Sequence, residues 1–159
     1  MGQYIIQMTT IILLLELNKE GIKMDDIGNK VLIVNSEDIN FIKKKLISDG
    51  KTFLVEINGA TIQTWEEYIS EIQEKFKFPT TCFDSVDRYL DWMRDLGWLD
   101  AEKYALIINN FNLFLKNEPE LKKSIISDFN DVILPFWKEE VEKVVVGGKV
   151  KEFMVYLIE

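Results

Sequence analysis

Apolar and polar positions follow two different spacings along this chain, and the alternation between them predicts strands and helices in turn. Runs rich in β-branched residues favour extended backbone and predict strands at residues 30–34, 51–57, 104–108 and 153–158. Apolar residues three and four apart predict helices that begin near Ser36, Thr64, Asp84 or Ser85, Pro119 and Phe136. Strands separated by helices imply a mostly parallel small sheet covered by helices, which is an α/β fold.

Capping and breaking residues set the expected ends of these helices. They are Ser36 as an N-cap, Gly50 as a stop, Thr64 with Glu67 as a capping box, Gly97 as a stop, and Pro135 as an end or kink.

The first 50 residues are predicted to form an N-terminal extension, and residues 51–159 the main domain. The loop 18–29 is the best candidate for a boundary between the extension and the rest. The apolar stretch from Tyr4 to Leu17 is interpreted as a buried strand, because no Lys or Arg precedes it and Glu16 interrupts it. We expect the extension to add strands, through 10–17 and 30–34, and a helix to one edge of the sheet. A dimer contact is the alternative. A signal peptide and a membrane helix are both disfavoured, so we expect a cytoplasmic protein.

Composition excludes several classes of function. The 159 residues include no histidine and one cysteine, so no imidazole base, His-paired nucleophile, disulfide within the chain or Cys-based metal cluster is expected. The formal charge is −8, and residues 51–159 carry 20 acids against 13 bases, a net of −7. Nucleic-acid phosphates would be repelled, whereas a basic protein partner would be attracted.

One predicted helix concentrates acidic residues on one side. At about 100° per residue, its carboxylates fall within roughly an 80° arc, and its apolar residues face the other way. The carboxylates are Asp84, Asp87, Asp91 and Asp95; the apolar residues are Val86, Tyr89, Leu90, Met93 and Leu96. Arg88 is expected to relieve the repulsion of Asp84 and Asp91, and Arg94 to point elsewhere. A solvated acidic face is the simplest interpretation, and a surface covered by a cationic partner is the functional one.

Aromatic residues flank these carboxylates. Phe83 precedes the helix, Trp92 lies at the edge of the acidic arc, and Trp98 follows Gly97. Aromatic side chains beside charges are typical of protein-binding hot spots, although each of these can also belong to the core. Cys82 has no histidine to activate it and is interpreted as a packed residue.

The segment Phe78-Pro79, a short loop, and Asp84-Ser85-Val86-Asp87-Arg88-Tyr89-Leu90-Asp91-Trp92 resembles the signature of the barstar family of ribonuclease inhibitors. That family has a Pro-x-x-x-Gly-x-Asn-Leu-Asp-Ala-Leu-x-Asp pattern at this place. Counting from Pro79, Asp87 and Asp91 fall on the two family aspartates that enter the ribonuclease active site. The strand at 53–57 and the later order of elements also match, so the resemblance covers about residues 51–159.

The chain departs from the family pattern around the helix. Phe83 replaces a glycine, Ser85 replaces an asparagine, and Thr81 and Cys82 replace aromatic residues. The family's third acidic contact lies on the last helix, where the candidates are Glu139, Glu140 and Glu142, with Lys138 as a competing assignment. A changed loop favours a different target nuclease.

The resemblance implies a non-catalytic inhibitor that binds a basic ribonuclease or toxin and covers its active site with carboxylates that mimic RNA phosphate. The alternative is a barstar-like binding module, such as an immunity protein, acting on a basic partner that is not a ribonuclease. The expected contacts are Asp84, Asp87, Asp91, Asp95, Thr81, Phe83, Ser85, Trp92, Glu139 and Glu142. No cofactor, metal, nucleic acid or membrane is expected as a ligand. Two carboxylates also suit a glycosidase, but one exposed helix is a poor source of the split pKa values that such catalysis needs.

Overall fold

A computed structural model describes residues 28–159 and the backbone of a two-residue strand, Tyr4–Ile5. Within these residues the chain forms one parallel sheet with helices on both faces, which confirms the predicted α/β fold. The strands are β1 (Tyr4–Ile5), β2 (Val31–Val34), β3 (Thr52–Asn58), β4 (Lys103–Asn109) and β5 (Glu152–Ile158), in the order β1-β2-β5-β4-β3.

The described helices connect these strands. They are α1 (Ile39–Ser48), α2 (Trp65–Lys75), α3 (Val86–Met93), α4 (Pro119–Asp128) and α5 (Val141–Val144), with short 3-10 turns at Gly59–Thr61 and Phe111–Leu113. Two stretches of wider π-helical turns, Phe129–Ile133 and Phe136–Glu140, join α4 to α5.

Side chains alternate along the strands and build a core on each face of the sheet. In β4, Leu106 and Ile108 point into the larger core. This core is covered by α2, α3 and the helical turns from Pro119 to Val144, here called the C-terminal helical stretch. Ala105 and Ile107 point the other way, into a smaller core with Ile42 of α1. A buried central strand is apolar on both sides for this reason, because a parallel sheet needs helices on both faces. Helix α1 and helix α3 therefore lie on opposite sides of the sheet.

Strand β2, which belongs to the first 50 residues, joins the sheet between β1 and β5. All four residues of β2 pair with β5. Helix α1 packs on the face of the sheet that carries Leu32 and Val34 of β2. The expected N-cap is wrong: α1 begins after Asp38, because residues 36–38 form a turn and the amide of Ser36 donates to the carbonyl of Glu159. Gly50 ends α1 with a φ of +68°, which a residue without a Cβ adopts freely. The predicted strand 10–17 lies outside the described residues, and the division at residue 50 stays a prediction.

The capping box at the start of α2 is confirmed. The Thr64 hydroxyl accepts from the Glu67 amide at 3.1 Å, and the Glu67 carboxylate accepts from the Gln63 amide at 2.6 Å. Just before this helix, Gly59 lies where two strand ends meet. A Cβ at Gly59 would lie 2.7 Å from the carbonyl oxygen of Asn109 and 2.8 Å from that of Asn110, so only glycine fits without a shift.

The C-terminal helical stretch continues past Pro135, so of the two predicted outcomes, an end or a kink, the structure excludes the end. Helical turns run from Pro119 to Val144, with π-helical turns on both sides of the proline. The Leu134 amide donates to the Phe129 carbonyl and the Val141 amide to the Phe136 carbonyl, each five residues back. These wider turns accommodate a residue that has no N–H to donate.

Candidate functional site

Helix α3 carries the acidic surface, and local capping explains where it begins. The Ser85 hydroxyl accepts from the Arg88 amide at 3.1 Å and satisfies one of the free donors of the first turn. Asp87 lies in that first turn, where the helix dipole favours a negative charge. Ser85 therefore has a structural role, and its predicted role as a partner contact stays a prediction.

Helix α3 ends at Met93, four residues before the predicted stop at Gly97. The chain turns at Arg94, and Leu96 takes a left-handed conformation with a φ of +52° while remaining fully buried. Asp95 therefore lies in a turn, where its carboxylate accepts from the Gly97 amide at 3.0 Å. Asp84 precedes the N-cap. The predicted stripe of four helical carboxylates is thus wrong in extent, and only Asp87 and Asp91 belong to the helix.

The carboxylates of this surface differ in what they contact. Asp84 pairs with Arg88 at 3.3 Å, and Asp91 pairs with Arg94 at 3.0 Å. The expected orientation of Arg94 is therefore wrong: Arg94, not Arg88, neutralises Asp91, because the chain turns back after the helix and Arg94 also donates to the Leu90 carbonyl. The Asp87 carboxylate is exposed and makes no hydrogen bond or ion pair with another residue of the described part of the chain.

Buried contacts hold α3 on the rest of the molecule. The hydroxyls of Tyr89 on α3 and Tyr68 on α2 lie 2.7 Å apart, and both side chains are fully buried. Burial raises the pKa of both phenols, so both stay neutral at any physiological pH. At the C-terminal end of α3, the indole N–H of Trp137 donates to the Met93 carbonyl at 2.9 Å. The helix is thereby fixed at its middle and at its C-terminal end.

The loop before α3 is also held by tryptophans. The Trp92 indole donates to the Thr80 hydroxyl at 3.0 Å, and the Trp65 indole donates to the Phe83 carbonyl at 2.9 Å. The Thr81 carbonyl accepts from Arg88 at 3.1 Å. The main chain at Thr81 and Phe83 is therefore anchored, while the Phe83 ring remains 43% exposed.

Other side chains of the predicted site are placed as follows. Trp92 is half-buried with its ring edge-on to Trp98, and the Trp98 indole donates to the Phe76 carbonyl. Cys82 is fully buried, and burial raises the pKa of its thiol, which agrees with its interpretation as a packed residue. Val86, expected to face the core, is 48% exposed, because it is the first helical residue after the exposed loop.

A groove of about 530 Å³ separates the end of α3 from the C-terminal helical stretch. Asp91 and Asp95 line one side of it, and Val145, Lys149 and Lys151 are among the residues that line the other. Glu139 and Glu142 are exposed on the last helical turns, but the lining of this groove comes from other positions. Their assignment as the third acidic contact stays a prediction.

Sequence reasoning missed two residues that shape this site. The sequence pattern does not identify Arg94 as a partner of Asp91, since it predicts that the helix continues through Arg94. Trp137 lies in the helix predicted to begin near Phe136, but its contact with Met93 crosses 44 residues of sequence. The available signal for Trp137 was its type, because a buried tryptophan usually needs an acceptor for its N–H.

Comparison with known families gives one match. The model of the family described as Barstar (barnase inhibitor) matches residues 52–147, which include α3, its preceding loop and both sides of the groove up to Gly147. Comparisons with curated proteins and with solved structures gave no match. Among the described helices, none combines the length and apolar composition needed to cross a membrane. The described residues also contain no group of three or more acidic or cysteine side chains placed to hold a metal ion.

Proposed function

The chain belongs to the barstar family, and from this premise we propose that it is a non-catalytic inhibitor of a basic ribonuclease, which it blocks with the carboxylates of α3. The observation that carries the proposal is the state of Asp87. This carboxylate is exposed and unpaired within the described structure, on a helix whose neighbouring acids, Asp84 and Asp91, already have arginine partners. An unpaired acid in a rigid setting is ready to accept a cation from another molecule.

The chemistry of the target explains why carboxylates suit this task. A ribonuclease must bind a phosphate, so its active site presents Arg and Lys side chains. Asp87 and Asp91 lie one helical turn apart on the same side of α3 and can take the place of phosphate oxygens there. The net charge of −8 adds a long-range attraction that speeds encounter with a basic partner and weakens as salt is added.

The anchoring of α3 favours tight binding. The helix is held by Tyr89 from within and by Trp137 at its C-terminal end, and its loop is held by Trp65 and Trp92. Binding therefore orders little additional chain, and less of the contact energy is lost as conformational entropy. We assign Asp87 and Asp91 as the main contacts and place Phe83 beside them as an apolar contact. The single cysteine suits a reducing compartment, so we propose the cytoplasm as the place of action.

A second candidate is a barstar-like module, such as an immunity protein, that binds a basic partner other than a ribonuclease. Exposed Phe83 favours this candidate, because the family has glycine there and a phenyl ring alters the shape of the contact surface. Both candidates use the same carboxylates and differ only in the target.

Inhibition of RNA cleavage distinguishes the two candidates. Barnase and a panel of purified basic bacterial ribonucleases would be titrated with the protein, using a fluorogenic ribo-oligonucleotide as substrate. We expect stoichiometric inhibition of at least one ribonuclease. We also expect Asp87→Asn or Asp91→Asn to weaken that inhibition by roughly 30-fold or more, because a buried partner cation would be left unpaired.

The control is Glu37→Gln, which removes one negative charge from an exposed residue of the turn before α1, outside α3 and its preceding loop. This variant should inhibit as well as the wild-type protein. Urea unfolding of each variant separates loss of contact from loss of fold. No inhibition across the panel, or inhibition that both aspartate variants retain at full strength, would refute the proposal.

A further inference from the structure

A second surface beside the acidic helix is apolar and exposed. Four valines of the segment 144–150, here called the valine turn, are exposed: Val144 by 69%, Val145 by 45%, Val146 by 105% and Val150 by 46%. Single exposed apolar residues are common on protein surfaces, but a contiguous group is typical of an interaction site. The valine turn therefore needs an explanation that the core does not provide.

The valine turn has a defined shape. Gly147 has a φ of +73°, and a Cβ at Gly148 would lie 2.5 Å from the Val141 carbonyl oxygen, so the two glycines let the chain fold back against the helix. The Val145 amide donates to the Val141 carbonyl at 3.1 Å, and the Gly148 amide donates to the Val145 carbonyl at 2.9 Å. The valines are thus presented by a hydrogen-bonded turn.

Trp137 connects the valine turn to the acidic helix. Its indole donates to the Met93 carbonyl at the end of α3, and its own carbonyl accepts from the Lys151 amide just after the turn. Val145 lines the same groove as Asp91. A molecule that covers Asp91 along this groove therefore meets the valine turn on the other side.

We infer that the valine turn contacts the same target ribonuclease as the carboxylates of α3. It covers an apolar patch of that ribonuclease beside the basic cleft that receives Asp91. The inference rests on the proposed function and specifies the chemistry of the partner. Lys143 and Lys149 flank the three exposed valines at 144–146, so the rim of the target that meets them must be apolar or acidic, although its cleft is basic. A second copy of this chain is a poorer occupant, because it carries the same acidic helix and a net charge of −8.

Val146→Ser tests the inference with little risk to the fold, since this side chain is fully exposed. We expect it to weaken binding of the inhibited ribonuclease by about tenfold, because one valine loses its burial at the interface. The dependence of the dissociation constant on salt should stay that of the wild-type protein, whereas Asp91→Asn should reduce it. Val144→Ser is a second variant with the same expected direction.

Ile47→Ser is the matched control. Ile47 is 63% exposed on α1, on the opposite face of the sheet, and its substitution should leave binding unchanged. If both valine variants bind within twofold of wild type while Asp91→Asn is weakened, the inference is wrong and the proposed function stands. If the valine variants are weakened but Asp87→Asn and Asp91→Asn are not, the valine turn belongs to another interface, and both proposals fail.

Sedimentation equilibrium supplies the remaining outcome. A wild-type dimer that Val146→Ser dissociates would make the valine turn a contact between copies and would overturn the inference. If the panel contains no ribonuclease that the protein inhibits, the inference fails together with the proposed function.

Discussion

Substituting either member of the Asp91–Arg94 ion pair should change affinity for the ribonuclease in opposite directions. In the free protein the two side chains lie 3.0 Å apart, with Asp91 71% exposed and Arg94 34% exposed. An ion pair as exposed as this one is worth about 0.5 kcal/mol. When the complex forms, the Asp91 carboxylate must exchange Arg94 for a cation of the target. The ion pair therefore stabilises the free protein, relative to the complex, by about this energy.

Arg94→Gln removes the competing cation and should strengthen binding by about twofold, from the loss of 0.5 kcal/mol or less in the free state. Asp91→Asn should weaken binding by about 2–5 kcal/mol, because the target's cation is then buried without a partner. If the pair had only a structural role, both substitutions would have small effects of the same sign.

Stopped-flow association and dissociation rates at two salt concentrations measure both effects. Lys44→Gln is the control for net charge, since it removes one positive charge from an exposed residue of α1 on the opposite face. Arg94→Gln should raise the association rate more than Lys44→Gln does at low salt. A tenfold loss of affinity in Arg94→Gln, without loss of stability, would refute this reasoning and make Arg94 itself a contact.

Two further predictions concern the scaffold. Gly59→Ala should destabilise the fold by about 2 kcal/mol in urea unfolding, because backbone oxygens at 2.7 and 2.8 Å would have to shift; unchanged stability would contradict the close approach. Burial alone would raise the pKa of Glu56, but hydrogen bonds from Lys43 and Asn109 hold this pKa below its ordinary value of 4.5. A carboxylate whose pKa is lowered by folding stabilises the folded state above pH 4.5 and loses that contribution as the pH falls further. Glu56→Gln should therefore be less stable than wild type at pH 7, and the deficit should shrink as the pH falls below 4.5. A loss of stability in Glu56→Gln that does not change with pH would refute this prediction.

The sequence predicts best those elements that are set by interactions between residues close together in the chain. The strands follow from short runs of β-branched residues, and the start of α2 follows from the reciprocal bonds of Thr64 and Glu67. The start of α3 at Ser85 has the same kind of cause. In each case the partners lie within a few residues of one another, so local patterns contain the information.

The end of α3 has a tertiary cause, and sequence patterns misplaced it. Apolar spacing continues to Leu96, and Leu96 is buried as that spacing predicts. It reaches the core from a turn with a positive φ, however, and not from a helix. Burial of a residue at helical spacing therefore does not establish that the helix continues to it, and the same spacing wrongly predicts Asp95 as a helical residue.

The same distinction decides which carboxylates are available to a partner. Helical spacing places Asp87 and Asp91 on one side of α3, and that part of the acidic surface follows from sequence. Whether each carboxylate is free depends on where the chain goes next: the turn after Met93 brings Arg94 back onto Asp91, while no described residue reaches Asp87. Because availability is set by such turns, two acids with the same periodicity differ in what a partner must displace. Asp87 can accept a cation directly, and Asp91 accepts one by exchanging Arg94.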